Sequence, residues 1–326
     1  MSLYVRLIGI MSKLSIIIPV YFNEETLELL YADLKEKVLC KIEDYEIIMI
    51  DDGSEDKSWF VMNNIAKSDT NIKLIKLSRN FGSHAAILAG LCKCTGNCAV
   101  IKAADLQEDS ELLLEMYESW KKGNNVVLAA RQNREEGRVQ KIFAAIYYKM
   151  VRKFISSKMP RGGFDIFLID RKVIEVLKLL DEKNSAITLQ VLWSGFRTDV
   201  IYYVRRERKL GKSRWTIAKK IKLVLDSLLG FSYLPIRFMT AVGSICFFVS
   251  VGWSIVLFFQ KIVVGIPIQG WTTLMIMILL TSGLMMLMLG ILGEYIWRCL
   301  DASRKRPPYI VEKERCFENE KECNNL

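Results

Sequence analysis

The sequence predicts an α/β protein: a mostly parallel sheet covered by helices, followed by amphipathic interfacial helices and a two-helix transmembrane hairpin. Three observations carry this prediction. Apolar runs alternate with helical stretches from residue 15 to residue 130, two long uncharged stretches follow Arg237, and basic residues crowd on their flanks.

The chain of 326 residues is long enough for one large domain or two smaller ones. Its hydrophobic fraction of 51% and mean hydropathy of +0.20 are high for a soluble protein, yet 25% of its residues are charged. That combination fits a soluble domain joined to membrane segments.

The alternation opens with LSIIIPV and a helix near 26–39. EIIMIDD precedes a helix near 56–67, NIKLIKL one near 83–92, and CAVIKAAD one near 109–121; NVVLAAR closes the run. Strands spaced by helices make a mostly parallel sheet with both faces covered. Ligands bind such sheets at the carboxyl ends of the strands. The polar clusters fall there: Tyr21-Phe22-Asn23-Glu24-Glu25, Asp51-Asp52-Gly53-Ser54, Arg79-Asn80-Phe81-Gly82, Asp105-Leu106-Gln107 and Arg131. A single cluster could be turn chemistry. Five on one edge make a site.

One of these clusters lacks a group. In AVIKAADLQEDSE an apolar strand run ends in Asp105, Gln107 and more acid, the pattern of a site for a cation or a sugar. Ala103 stands two residues before Asp105, where a second acid would complete a chelating pair. Cys92, Cys94 and Cys98 have no partner cluster and read as reduced thiols rather than a zinc site. His84, the only histidine, follows Gly82 near a helix start, where it could approach a phosphate or serve structure alone.

After Arg237, 23 uncharged residues run to Lys261, and none of residues 262–293 is charged. About 20 apolar residues span a bilayer, so the first stretch is one crossing. Gly265, Pro267 and Gly270 mark a turn before the second. The expected boundaries are a cytosolic domain over 13–230, transmembrane helices over 236–260 and 271–297, and a cytosolic tail over 298–326. Lys219, Lys220, Lys222 and Arg237 precede the first span, and Arg298, Arg304, Lys305 and Arg306 follow the second, with only Lys261 between. By the positive-inside rule both termini and the domain are cytoplasmic, at a cell membrane. The first ten residues are too short for a signal peptide.

Residues 131–237 hold 24 Lys and Arg against 10 Asp and Glu, a net of +14 where the whole chain carries +10. Charge placed against a membrane span fits an anionic lipid surface or a phosphorylated lipid; no nucleic acid partner is expected. Two segments there are amphipathic, about 141–154 (Phe143, Tyr147, Met150, Val151, Phe154) and about 215–229 (Ile217, Ile221, Val224, Leu228). Each could pack on a core or lie in the interface.

The motifs IPVYFNEE, IDDGSEDKS, RNFGSHAAILAG, DLQED and R-x-x-R at Arg131 and Arg134 resemble those of family 2 inverting glycosyltransferases with the GT-A fold. The segment R-x-x-R-x-x-G-x-S-R (Arg205, Arg208, Gly211, Ser213, Arg214), then two spans and RPPY, resembles their polyprenyl-phosphate branch, which includes dolichol-phosphate mannosyltransferases and bactoprenol glucosyltransferases. The resemblance covers roughly residues 13–310.

The resemblance implies transfer of one sugar from a nucleotide sugar, UDP-linked in preference to GDP-linked, to a polyprenyl phosphate such as undecaprenyl phosphate. Pro19, Tyr21 and Glu25 with Asp52 would hold base and ribose; the extra Phe22 blurs the register, so Glu24 could take the place of Glu25. Arg79 and Arg134 join the nucleotide-sugar set. Asp105 and Gln107 match the family's metal-binding residues, Arg131 its diphosphate-facing arginine, and Asp165 its active-site aspartate. Magnesium needs only one or two protein carboxylates beside substrate phosphates, so Asp105 with Gln107 is expected to hold Mg2+ or Mn2+ despite Ala103, with a weakened metal requirement or a changed sugar preference. Arg205, Arg208, Ser213 and Arg214 would meet the acceptor phosphate. A processive polysaccharide synthase is the competing enzymatic reading, but its Q-x-x-R-W element is absent here: no glutamine stands three residues before Arg214-Trp215. A non-catalytic, lipid-bound relative gains only from Ala103. Homo-oligomerisation is left open.

Overall fold

The computed structural model describes residues 12–132, 138–180, 186–205, 224, 226–227, 229–232, 234–263 and 270–316. The chain forms two compact units, residues 1–223 with 307–326, and residues 224–306.

The first unit is built on eight strands. In chain order these are β1 (Leu14–Val20), β2 (Tyr45–Asp51), β3 (Ile72–Leu77), β4 (Cys98–Ile101), β5 (Val126–Arg131), β6 (Phe164–Asp170), β7 (Thr198–Tyr203) and β8 (Val311–Cys316). Helices α1 (Leu27–Lys37), α2 (Ser58–Ala66), α3 (Ser83–Lys93) and α4 (Leu112–Lys121) alternate with the first five strands, as the hydrophobic pattern predicts. Strands β1 to β4 are parallel neighbours because each helix returns the chain to the edge where its strand began. β1 is buried along nearly its whole length, the mark of a strand covered on both faces.

The sheet order is β7-β5-β6-β4-β1-β2-β3-β8. Three strands in it lie outside the sequence pattern, the first being β7, which pairs parallel with β5. β6 enters antiparallel between β4 and β5, so the fourth and fifth strands of the alternation are not neighbours. β8 adds antiparallel to β3, which brings the segment after the apolar helices back to the sheet. The expected cytosolic tail thus contributes an edge strand, tied by Lys93–Glu314 and Lys76–Glu312 ion pairs and by Arg315 donating to Asn63 at 2.8 Å.

Between β5 and β6 runs α5 (Arg138–Phe154), and α6 (Arg171–Leu179) and α7 (Ile187–Trp193) follow β6. The Asp170 carboxylate caps α6 by accepting the Lys172 N–H. The lower edge of the sheet is knotted by Glu46, whose carboxylate accepts from the Ser15 hydroxyl at 2.6 Å, the Lys73 ammonium at 2.9 Å and the Thr95 N–H at 2.5 Å. Burial alone would raise its pKa, but the hydrogen bonds from Lys73, Ser15 and Thr95 outweigh burial and hold it at about 2.

The second unit contains α8 (Leu234–Val263) and α9 (Trp271–Ser303). Both are long and apolar enough to cross a membrane, over Pro235–Trp253 and Leu280–Ser303. Large apolar side chains such as Phe238, Phe248, Trp253 and Met286 are exposed along them, the reverse of a soluble core helix. Arg298, near the end of α9, pairs with Asp226 at 2.7 Å and with Glu294 at 3.2 Å.

Candidate functional site

Five strand ends meet at one edge of the sheet, because β1 to β5 all point the same way. The segment after β1 turns sharply: Phe22 adopts φ 55° and its ring meets Tyr21 edge to face at 4.7 Å. Its backbone is fastened to the next strand end by Phe22 N–H donating to Ser54 Oγ and Asn23 N–H to Ser58 Oγ. Glu24 and Glu25 are both exposed here, and the Glu24 carboxylate accepts the Lys57 N–H at 2.7 Å. Of the two alternatives, Glu24 is therefore engaged with the β2–α2 turn. Pro19 is half-buried within β1.

Asp52 is only 3% exposed and organises the neighbouring loop. Its two oxygens accept the backbone N–H groups of Phe81, at 2.7 Å, and Gly82, at 2.9 Å. The loop passes so close that a Cβ on Gly53, where φ is +68°, would stand 2.4 Å from the Arg79 carbonyl carbon. Only glycine fits there. Arg79 is exposed and lies over the Phe81 ring at 4.1 Å. His84 is the second residue of α3, just beyond this loop.

At the end of β4 the chain turns through Leu106, with φ 57°. The Thr26 hydroxyl donates to the Ala104 carbonyl at 2.6 Å and ties this turn to the first. Asp105 and Gln107 project from it, and the Arg205 guanidinium, two residues beyond β7, reaches both. It hydrogen-bonds the Gln107 side-chain oxygen and lies 3.5 Å from Asp105 Oδ2. Arg205 also faces Glu108, with Nε 3.8 Å from Oε1. Behind this group the fully buried Lys102 ammonium donates to the Glu108 carbonyl at 2.6 Å and stands 3.8 Å from its carboxylate. Burial pushes the Glu108 carboxyl up and the Lys102 ammonium down, since dry surroundings disfavour both charges.

Asp165 is the second residue of β6, and its carboxylate ion-pairs with Arg131 at the end of β5. Gly162 permits this approach: a Cβ there would stand 2.2 Å from the Arg131 carbonyl oxygen. Tyr203, the last residue of β7, is buried beside Arg131, Glu108 and Arg205, and burial pushes its phenol up.

The structure thus gathers Asp105, Gln107 and Arg205 in one cluster, and Arg131 with Asp165 in a pair. Arg205, expected at the acceptor phosphate, lies against the expected metal-binding residues. Arg134, Arg208, Ser213 and Arg214 lie outside the described residues. Sequence reasoning missed Lys102, Glu108 and Tyr203. A lysine closing an apolar strand run, six residues before an acid, was the available signal for the first two. Among the described residues no group of three or more His, Cys, Asp or Glu forms a metal site. Asp105 Oδ2, the Gln107 side-chain oxygen and Glu108 Oε1 nevertheless converge on one guanidinium, while Glu108 Oε2, turned toward Lys102, is buried without a hydrogen-bond partner. Hard oxygen donors of this kind fit a divalent cation.

Residues 15–178 match the model of glycosyl transferase family 2. An uncharacterized glycosyltransferase of Bacillus subtilis, YkcC, is 36% identical over 308 residues, covering 94% of this chain and 95% of its own. A bactoprenol glucosyl transferase of Shigella phage SfV is 33% identical over 304 residues, covering 93% and 99%. Among solved structures, glucosyl-3-phosphoglycerate synthase from Mycobacterium tuberculosis is 14% identical with a TM-score of 0.48, covering 69% of this chain and 81% of that one. Family match and near full-length identity agree with the strand-end architecture: the chain belongs to glycosyl transferase family 2 and is a glycosyltransferase with the GT-A fold.

Proposed function

We propose that this glycosyltransferase moves a single sugar from a UDP-sugar to a polyprenyl phosphate at the cytoplasmic face of a membrane. The observation that carries the reading is the 33% identity to a bactoprenol glucosyl transferase over 93% of this chain, a length that takes in both apolar helices. The course of the chain supports the topology. It leaves the sheet unit near residue 223, runs through two helices long enough to cross a membrane, and rejoins the same unit at residue 307. An even number of crossings returns the tail to the side of the catalytic domain, and by the positive-inside rule the basic flanks favour the cytoplasm for that side.

In this reading the nucleotide lies across the β1, β2 and β3 ends, against Tyr21, Asp52 and the loop that Asp52 holds. Arg131 faces the diphosphate. A divalent cation held by Asp105 and Gln107 would neutralise the charge left on the departing nucleotide. An oxygen of the lipid phosphate forms the new bond to the anomeric carbon while the bond to the diphosphate breaks, and the electron pair leaves with the nucleotide. A phosphate monoester has a second pKa of about 6 and is largely ionised at neutral pH, so no strong base is needed. Asp165 orients the acceptor, and its ion pair with Arg131 offsets the repulsion between carboxylate and phosphate.

Membranes carrying the protein, incubated with a panel of nucleotide sugars and undecaprenyl phosphate, test the reading by mass spectrometry of the lipid. One donor should give a lipid heavier by one sugar. Failure of every donor, or a lipid bearing a chain of sugars, overturns it.

A further inference from the structure

Glu108 is a carboxylate to which the proposed reaction gives no task. It is 3% exposed, and its Oε2 has no hydrogen-bond partner. Buried carboxylates ordinarily take several hydrogen bonds, because an unsatisfied buried charge is costly. Glu108 is held instead between two cations, the Lys102 ammonium and Arg205 Nε, each 3.8 Å from one of its oxygens. The Arg205 guanidinium also hydrogen-bonds Gln107 and lies 3.5 Å from Asp105. Three of the four positions from 105 to 108 aim an oxygen at a single positive group: Asp105 Oδ2, the Gln107 amide oxygen and Glu108 Oε1. Ala103, where the chelating pair lacks its first acid, offers none.

We propose that Glu108 supplies the second carboxylate of the divalent-cation site, replacing the acid absent at position 103, and that Arg205 competes with the cation for the oxygens of Asp105, Gln107 and Glu108. The inference rests on the reading of Asp105 and Gln107 as cation ligands. Two carboxylates and a side-chain amide form a hard donor set that suits Mg2+ or Mn2+. Lys102 makes the arrangement workable. It anchors the Glu108 backbone by its carbonyl at 2.6 Å, while its distance from the carboxylate leaves those oxygens without a tight partner. The rival account is that Glu108 only neutralises the buried Lys102.

Binding of Mn2+ to the detergent-solubilised full chain, read from the free-ion paramagnetic resonance signal at fixed UDP, separates the two. Glu108→Gln should raise the Mn2+ Kd at least 10-fold, and Ala103→Asp in that background should recover most of the loss. Arg205→Gln should lower the Kd at least 3-fold by removing the competitor. Wild-type Mn2+ affinity in Glu108→Gln, alongside lost binding in Asp105→Asn, overturns the assignment of Glu108 and leaves the Asp105–Gln107 pair standing. Unchanged affinity in Asp105→Asn overturns that pair as well. Should Glu108→Gln fail to fold, Arg205→Gln decides, and an unchanged Kd there overturns the competition and with it the shared site.

Discussion

Replacing Asp52 by asparagine tests how far the nucleotide side of the cleft depends on one buried carboxylate. Both oxygens of Asp52 accept backbone N–H groups, Phe81 at 2.7 Å and Gly82 at 2.9 Å, so the loop from Arg79 to Gly82 is held by two charge-assisted bonds. Asparagine keeps one oxygen and sets an NH2 group against the other N–H. Losing one bond to a charged acceptor costs about 1.5–3 kcal/mol, and the orphaned buried donor belongs to the same range. A destabilisation of about 3 kcal/mol follows, which at roughly 2–4 °C per kcal/mol lowers Tm by about 10 °C in a domain of this size. Differential scanning fluorimetry reads that shift. Isothermal titration with UDP should show a Kd raised about 10-fold or more, because Arg79 and Phe81 ride on the released loop. A variant melting within about 2 °C of the wild type, with unchanged UDP affinity, would refute both the hydrogen-bond accounting and the placement of the nucleotide beside this loop.

Three further outcomes are expected. Glu46, held at about 2 against an ordinary value of 4.5, contributes stability that is complete above about pH 4.5 and is lost as pH falls toward 2. At about 1.4 kcal/mol per pH unit between folded and unfolded values this is about 3 kcal/mol, and Glu46→Gln should flatten acid unfolding followed by tryptophan fluorescence. Asp105→Ala should abolish sugar transfer to lipid in a radiolabel assay, whereas Ala103→Asp should leave transfer intact or sharpen its dependence on added metal; near-normal turnover of Asp105→Ala with metal present would remove Asp105 from the site. Both termini should resist protease added to sealed, right-side-out cells, and cleavage of an epitope on the C-terminal tail from outside would overturn the hairpin topology.

What the sequence determined by itself is local and periodic. Runs such as LSIIIPV and EIIMIDD, spaced by helical stretches, specify strands buried on both faces, and that fixes a parallel sheet with polar residues gathered at one edge. The uncharged stretches after Arg237 similarly specify their own helices, since length and absence of charge are properties of the segment alone. The motif order carried the family. Tertiary structure decided what depends on partners distant in the chain. FDIFLID stands outside the alternation, and its antiparallel insertion between β4 and β5 is a matter of register across the sheet. VEKERC has too little hydrophobic alternation to announce itself, and it becomes a strand because β3 presents an open edge of unpaired backbone groups. The site divides in the same way. Asp105 and Gln107 are legible because they share a turn, whereas the meeting of Gln107 with Arg205, 98 residues away, and the burial of Glu108 against Lys102 follow only when β7 ends beside β5 and closes over that turn. A side chain's charge is written in its residue type; the cation or carboxylate it faces is set by the packing of the whole sheet.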